Sequence, residues 1–114
     1  MALKLNDRGV KHARKLIDDG KYVLDSDWSE AQPSPDKENK FIEKEGWAAY
    51  GRWHLAYDPH QSEETKERYK FPFGDFKKVH RSALNAVQQR AGQYDYDEIG
   101  KEGDDLVSRI DKNS

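Results

Sequence analysis

A chain of 114 residues with no cysteine has the size of one domain and excludes disulfides, thiol catalysis and thiolate metal sites. Charged residues make up 37% and apolar residues 34%, near the composition of disordered chains, but thirteen aromatics, nine of them in residues 41–76, place a compact core in the middle of the chain. A net charge of -2 excludes a strong overall field toward nucleic acid or anionic lipid, and no apolar run approaches the ~20 residues of a bilayer span.

Residues 1–6 lack the apolar centre of a secretion signal, so the expected location is the cytoplasm, with no membrane partner. Asn6 is placed to cap a first helix with the stripe Val10, Ala13, Leu16 and Ile17. Gly9 weakens its start, and Gly20 stops it. Tyr22-Val23-Leu24 reads as extended, and Asp25 to Ser29 as a turn with a packed Trp28. Residues 29–36, with Pro33 and Pro35, read as a flexible linker. Ser34 then caps a helix with Pro35 first and Asp36 and Glu38 in its opening turn. Helix is expected over residues 37–53, with a break near Gly46.

Residues 54–57 and 69–73 are expected to pair as a small antiparallel ribbon. Tyr69, Phe71 and Phe73 share a face at period two, and Pro72 confines that strand to an edge. Asp75 reads as the N-cap of the clearest helix, with the stripe Phe76, Val79, Ala83, Leu84, Val87 and Ala91 and a stop at Gly92. A last helix spans residues 95–110, where Gly103 permits close helix approach. Residues 1–5 and 111–114 are expected to fray. The expected fold is a single mainly α domain with minor β: about four helices and a two-stranded ribbon around an aromatic core.

The order Lys15-Leu16-Ile17-x-x-Gly20-Lys21, Ser26-Asp27-Trp28-Ser29, Trp47-x-x-Tyr50-x-x-Trp53-x-Leu55-x-x-Asp58, Tyr69-Lys70-Phe71-Pro72-Phe73-Gly74-Asp75 and Val79-His80-Arg81-x-Ala83-Leu84 resembles a family. This is a small domain of unknown function, found alone in bacterial proteins and near prohead protease and head-assembly regions of tailed-phage proteins. The resemblance covers roughly residues 10–110. It implies a stand-alone copy of an uncharacterised, phage-related structural or interaction module, and it carries no catalytic signature.

Charge is uneven along the chain. Residues 66–90 hold seven Lys/Arg against two acids, a local +5, while residues 91–114 hold three against seven, a local -4. Candidate chemistry is sparse. His54, Asp58 and His60 lie near one another, but Pro59 prevents the helix that would align them, so no metal and no cofactor is expected. No nucleophile elbow, phosphate loop or dinucleotide fingerprint occurs, and the chain is not expected to be an enzyme.

The expected function is a non-enzymatic protein-interaction or scaffolding module of prophage descent. Its site is placed at Trp53, Tyr69, Lys70, Phe71, Lys77, Lys78 and Arg81, where rings stand beside cations; the protein partner is unknown. The alternative is nucleic-acid binding through the basic segment 66–90, with Tyr69 or Phe71 stacking on bases.

Overall fold

The computed structural model describes residues 3–114. Strand β1 (Lys4–Leu5) leads into helix α1 (Asp7–Asp18), whose stripe Val10, Ala13, Leu16 and Ile17 is buried as its spacing requires. Asn6 holds the N-cap position without capping through its side chain. Its Nδ2 instead donates to the carbonyls of Gly51 (2.9 Å) and His54 (3.0 Å). Helix α1 is thereby tied to strand β3 (His54–Tyr57). A Cβ at Gly9 would overlap the His54 carbonyl, so the glycine that weakens the helix is the condition for this contact.

Strand β2 (Tyr22–Val23) and helix α2 (Trp28–Ala31) follow, the latter capped by Asp27, whose Oδ1 accepts the Ser29 amide at 3.0 Å. The segment read as a linker thus narrows to residues 32–34. Helix α3 (Pro35–Glu45) begins as expected: Ser34 Oγ accepts the Lys37 amide at 3.3 Å and Pro35 takes the first turn. Gly46, at φ 92°, breaks the helix, and α4 (Trp47–Gly51) resumes beyond it.

The expected ribbon is present. Strand β4 (Tyr69–Pro72), entered from a 3₁₀ turn at Lys66–Arg68, pairs antiparallel with β3 in the register Ala56 opposite Lys70 and Tyr57 opposite Tyr69. Strand β1 adds to the far side of β3, giving the order β1-β3-β4 with Pro72 on an edge strand. The shared face of three rings does not form. Phe71 adopts φ 61°, which turns it toward Tyr96 at 6.1 Å, edge to face. Tyr69 lies 5.8 Å from both Tyr50 and His54, and the fully buried Phe73 lies 5.6 Å from Trp53.

The largest departure is at residues 75–80. The helix expected from Asp75 begins only at Arg81, as α5 (Arg81–Gln93). Asp75 closes a turn instead, Oδ1 accepting the amides of Lys77 (3.0 Å) and Lys78 (2.8 Å). Strand β5 (Val79–His80) then pairs parallel with β2. Phe76, at φ 72°, stacks on Phe41 with centroids 4.2 Å apart and planes 10° from parallel. Phe76 and Val79 fit a helical stripe, but partners distant in sequence, Phe41 and β2, claim them first; tertiary pairing outweighs local propensity.

Helix α6 (Asp97–Asn113) buries Ile99, Leu106, Val107 and Ile110 against the body, and a Cβ on Gly103 would meet Val87 Cγ1 at 3.3 Å, the close approach its spacing suggested. The C-terminal residues expected to fray are tied. Arg81 forks onto Asp111 at 3.0 and 3.1 Å, and Asn113 Nδ2 donates to the Ile17 carbonyl at 3.1 Å. At the other end, Lys4 and Leu5 are paired in β1, and residues 1–2 lie outside the described part. The fold is mainly helical with minor strand. The described residues hold six α-helices where about four were expected, because Gly46 divides one and α2 is added.

The Gly9 contact sets a stability expectation. Gly9→Ala gains helix propensity of about 1 kcal/mol but forces α1 away from β3, at a typical overpacking cost of about 1–3 kcal/mol. The urea midpoint is expected to fall. A midpoint that rises would show that α1 and β3 separate without penalty.

Candidate functional site

Two constellations stand out, one inside the fold and one on its surface. The inner one centres on His80, which is 5% exposed. Its Nε2 lies 2.9 Å from Asp75 Oδ2, and its Nδ1 lies 2.8 Å from Ser26 Oγ, which is itself 2.9 Å from Ser82 Oγ. Burial pushes the Asp75 carboxyl up, but the His80 bond and the Lys78 and Lys77 amides pull it down further, to below the ordinary value. Asp75 is therefore a carboxylate and only accepts, so Nε2 donates to it. In the neutral ring Nδ1 is then left to accept the Ser26 hydroxyl, and Ser26 accepts from Ser82. The chain of contacts joins β2's downstream turn, the 74–78 turn, β5 and the first turn of α5.

This connectivity contains a Ser, a His and an Asp, yet the geometry is that of a clasp. Both imidazole nitrogens are engaged, and the Trp28 ring lies 5.5 Å from that of His80. With 5% of the residue exposed, the imidazole is covered by the surrounding fold.

The surface constellation is a groove of about 540 Å³ between α2–α3 and the 74–78 turn. Its floor carries Phe41 stacked on Phe76, with Pro33 and Ala31 beside them. Lys37, Lys40 and Lys44 form one wall, at positions i, i+3 and i+7 of α3, and Lys77 stands on the other. None of these four lysines enters an ion pair among the described residues. Two acids, Glu45 and Asp75, also line the groove, but Asp75 is committed to His80 and two amides. The rim is left with an excess of uncompensated positive charge above an apolar floor.

The residues singled out from sequence do not make one face. Trp53 is 5% exposed and packs between His12 (4.9 Å) and Phe73 (5.6 Å) in the core, so it offers no edge to a partner. Tyr69 lines a separate groove with Arg8, Arg52 and Arg68, where its hydroxyl donates to the Glu63 carbonyl at 2.8 Å. Phe71 is half-buried against Tyr96, and Lys70 is half-buried on β4. Arg81 is bound to Asp111, which holds that carboxyl below its ordinary value. Lys77 and Lys78 are exposed on the turn, and Lys77 joins the lysines of α3. Within the basic segment, Lys66 pairs with Glu38 at 3.2 Å, and Arg68 lies over the Tyr57 ring at 4.8 Å. Sequence reasoning missed Lys37, Lys40, Lys44 and Phe41 as a group. Their helical spacing was the available signal, but without the fold nothing connected them to Lys77.

Of the residues weighed as metal ligands, His54 and Asp58 are buried and bonded within the fold, and His60 is exposed. His54 is buried with Nδ1 3.0 Å from the Tyr50 carbonyl, and Asp58 Oδ1 accepts the His60 amide at 2.9 Å. No group of metal-ligating side chains occurs among the described residues, and none of their helices is long and apolar enough to cross a membrane. No family model matches the chain, and no curated protein or solved structure shows significant similarity to it.

Two measurements follow from the buried groups. Asp75→Ala removes the acceptor of two amides and of His80, and is expected to lower stability by about 2–3 kcal/mol in chemical denaturation; an unchanged midpoint would mean the clasp does not hold the turn. Burial depresses His54 to about 4 from an ordinary 6.5. The unfolded chain thus binds the extra proton first, and stability is full above pH 6.5 and falls as pH drops toward 4, by about 3 kcal/mol in all. Urea titrations at pH 7.5 and pH 4, compared between wild type and His54→Gln, should show a smaller acid loss in the variant.

Proposed function

We propose that the protein is a non-enzymatic protein-interaction or scaffolding module, of prophage descent, that docks an anionic segment of a protein partner in the lysine-walled groove. The observation that carries this reading is the set of four lysines without an ion pair among the described residues, Lys37, Lys40, Lys44 and Lys77, around the Phe41–Phe76 stack. An apolar floor with a charged rim is the usual anatomy of a docking site, in which rings supply contact area and rim charges select the partner. The residue order that resembles a domain associated with phage head assembly favours scaffolding over chemistry, as does the burial of the His80 imidazole, 5% exposed.

The lysines span α3 from residue 37 to 44, about 10 Å along the axis at 1.5 Å per residue. Acidic side chains one and two turns apart on a helical partner match that spacing. Nucleic acid is the second reading. It draws on Lys77 and Lys78 from the basic segment together with the α3 lysines. Against it, the stacked rings have already turned one face toward each other, and Lys66, Arg68 and Arg81 are engaged within the fold.

Fluorescence anisotropy with a labelled helical peptide carrying Glu one and two turns apart, with Leu between them, tests the reading. Wild type is expected to bind it. Lys40→Glu with Lys44→Glu should weaken binding by about 2 kcal/mol, roughly thirtyfold. Tyr69→Ala with Arg81→Ala should leave it unchanged. Equal binding by the charge-reversed protein would remove the groove as the site. A duplex mobility shift at low salt that disappears at high salt, without peptide binding, would replace the protein partner by nucleic acid.

A further inference from the structure

The partner of the groove can be specified further from the rest of the surface, an inference that rests on the docking reading above. Among the described residues the large apolar side chains most open to solvent are Tyr94, 60% exposed, and Leu24, 45% exposed. Tyr94 stands at the turn between α5 and α6, where Asp95, Asp97 and Glu98 follow it, all exposed. The turn has a defined geometry. Asp95 adopts φ 58°, a conformation that aspartate tolerates better than most residues. The Tyr96 amide bonds the Ala91 carbonyl at 2.8 Å, and the Tyr94 amide bonds the Arg90 carbonyl at 3.1 Å, the ladder of a helix end closed through a left-handed residue. The tip therefore presents one ring and three carboxylates without first having to order a loop, which lowers the cost of binding.

Its three acids enter no ion pair among the described residues. None of the tip residues lines the lysine groove of its own chain. The two features are complementary: a ring flanked by free carboxylates, and an apolar floor flanked by free ammonium groups. We propose that the groove of one copy takes the Tyr94–Glu98 tip of a second copy, so that the protein self-associates through this contact. Tyr94 lies over the Phe41–Phe76 floor, and Asp95, Asp97 and Glu98 face Lys37, Lys40, Lys44 and Lys77. The contact falls below the roughly 1,000 Å² of a stable interface, so the association is weak, salt-sensitive and visible only at high protein concentration.

Sedimentation equilibrium over a concentration series at low and high salt tests this with the full chain. The expected result is a weight-average mass that rises with concentration at low salt, and a loss of that rise at high salt. Lys40→Glu with Lys44→Glu reverses the groove and leaves the tip intact. Tyr94→Ser with Glu98→Gln removes the tip and leaves the groove intact. All four positions are exposed, and circular dichroism checks that each variant is folded. Each variant alone should remain monomeric, and a mixture of the two should form a one-to-one pair, because one supplies the tip and the other the groove. A wild-type chain that stays monomeric at every concentration overturns the inference, as does a mixture that fails to pair. If that monomer still binds the acidic peptide, the groove keeps its docking role and only the second copy is excluded. If the duplex is bound instead, both the second copy and the protein reading fall.

Discussion

The imidazole of His80 is the point on which the surface architecture depends. It is buried, and each of its nitrogens holds a different part of the chain: Asp75 through Nε2 and Ser26 through Nδ1. Asp75 in turn fixes the amides of Lys77 and Lys78, so the clasp sets the shape of the 74–78 turn. Within that turn Phe76 takes a left-handed conformation, unfavourable for a residue with a Cβ, and is repaid by stacking on Phe41. The groove floor therefore exists only while the turn is held. A buried polar group that is fully bonded confers this kind of positional definition, because every alternative packing leaves a donor or acceptor unmatched.

Charge is distributed by the same logic. Cations on the helical flank have partners across the fold: Arg109 binds Asp18 at 2.8 Å, Arg14 binds Glu102 at 3.2 Å, and Arg81 binds Asp111 at 3.0 Å. All three are contacts of an arginine with a carboxylate of another helix or helix end, where the planar fork favours fixed geometry. The cations without partners at the groove are lysines, compact charges on flexible stems. The distinction separates charges that brace α1, α5 and α6 from charges available to something outside the chain. A net charge of -2 hides both groups, since it averages a cationic groove against acidic elements elsewhere.

Much of the fold was legible because local rules and tertiary packing agreed. The stripe of α1, the Ser34-Pro35 start of α3, the break at Gly46 and the pairing of 54–57 with 69–72 all follow from residue chemistry at short range. The segment from Phe71 to His80 was misread because three long-range demands meet there. Phe71 turns toward Tyr96, Phe76 toward Phe41, and Val79-His80 pairs with a strand more than fifty residues earlier. A parallel pair between distant two-residue strands leaves no periodicity to detect, and the same pairing brings Ser26 to His80. The candidate site was only half legible for a related reason. Exposed Lys77 was visible as a surface charge, whereas Trp53 was chosen for its chemistry and proved to be the centre of the core.

The position of Trp53 explains why the proposed docking surface lies elsewhere. Its ring contacts His12, Phe73 and Phe76, and a Cβ on Gly74 would reach it at 2.5 Å. So large a side chain, closed in by a glycine, leaves no room to serve a partner as well. The next ring outward is Phe76, edge-on to Trp53 at 5.9 Å and stacked on Phe41 at the surface. The core thus reaches the groove along a line of aromatics, Trp53 to Phe76 to Phe41. Helix α3, which buries none of its residues completely, is anchored to the body along that line by Phe41, with Glu38 bonded to Tyr50 and Lys66 beside it. The flank of α3 beside Phe41, which carries Lys37, Lys40 and Lys44, stays exposed. These three lysines enter no ion pair among the described residues, and the proposed docking role accounts for their alignment with the groove.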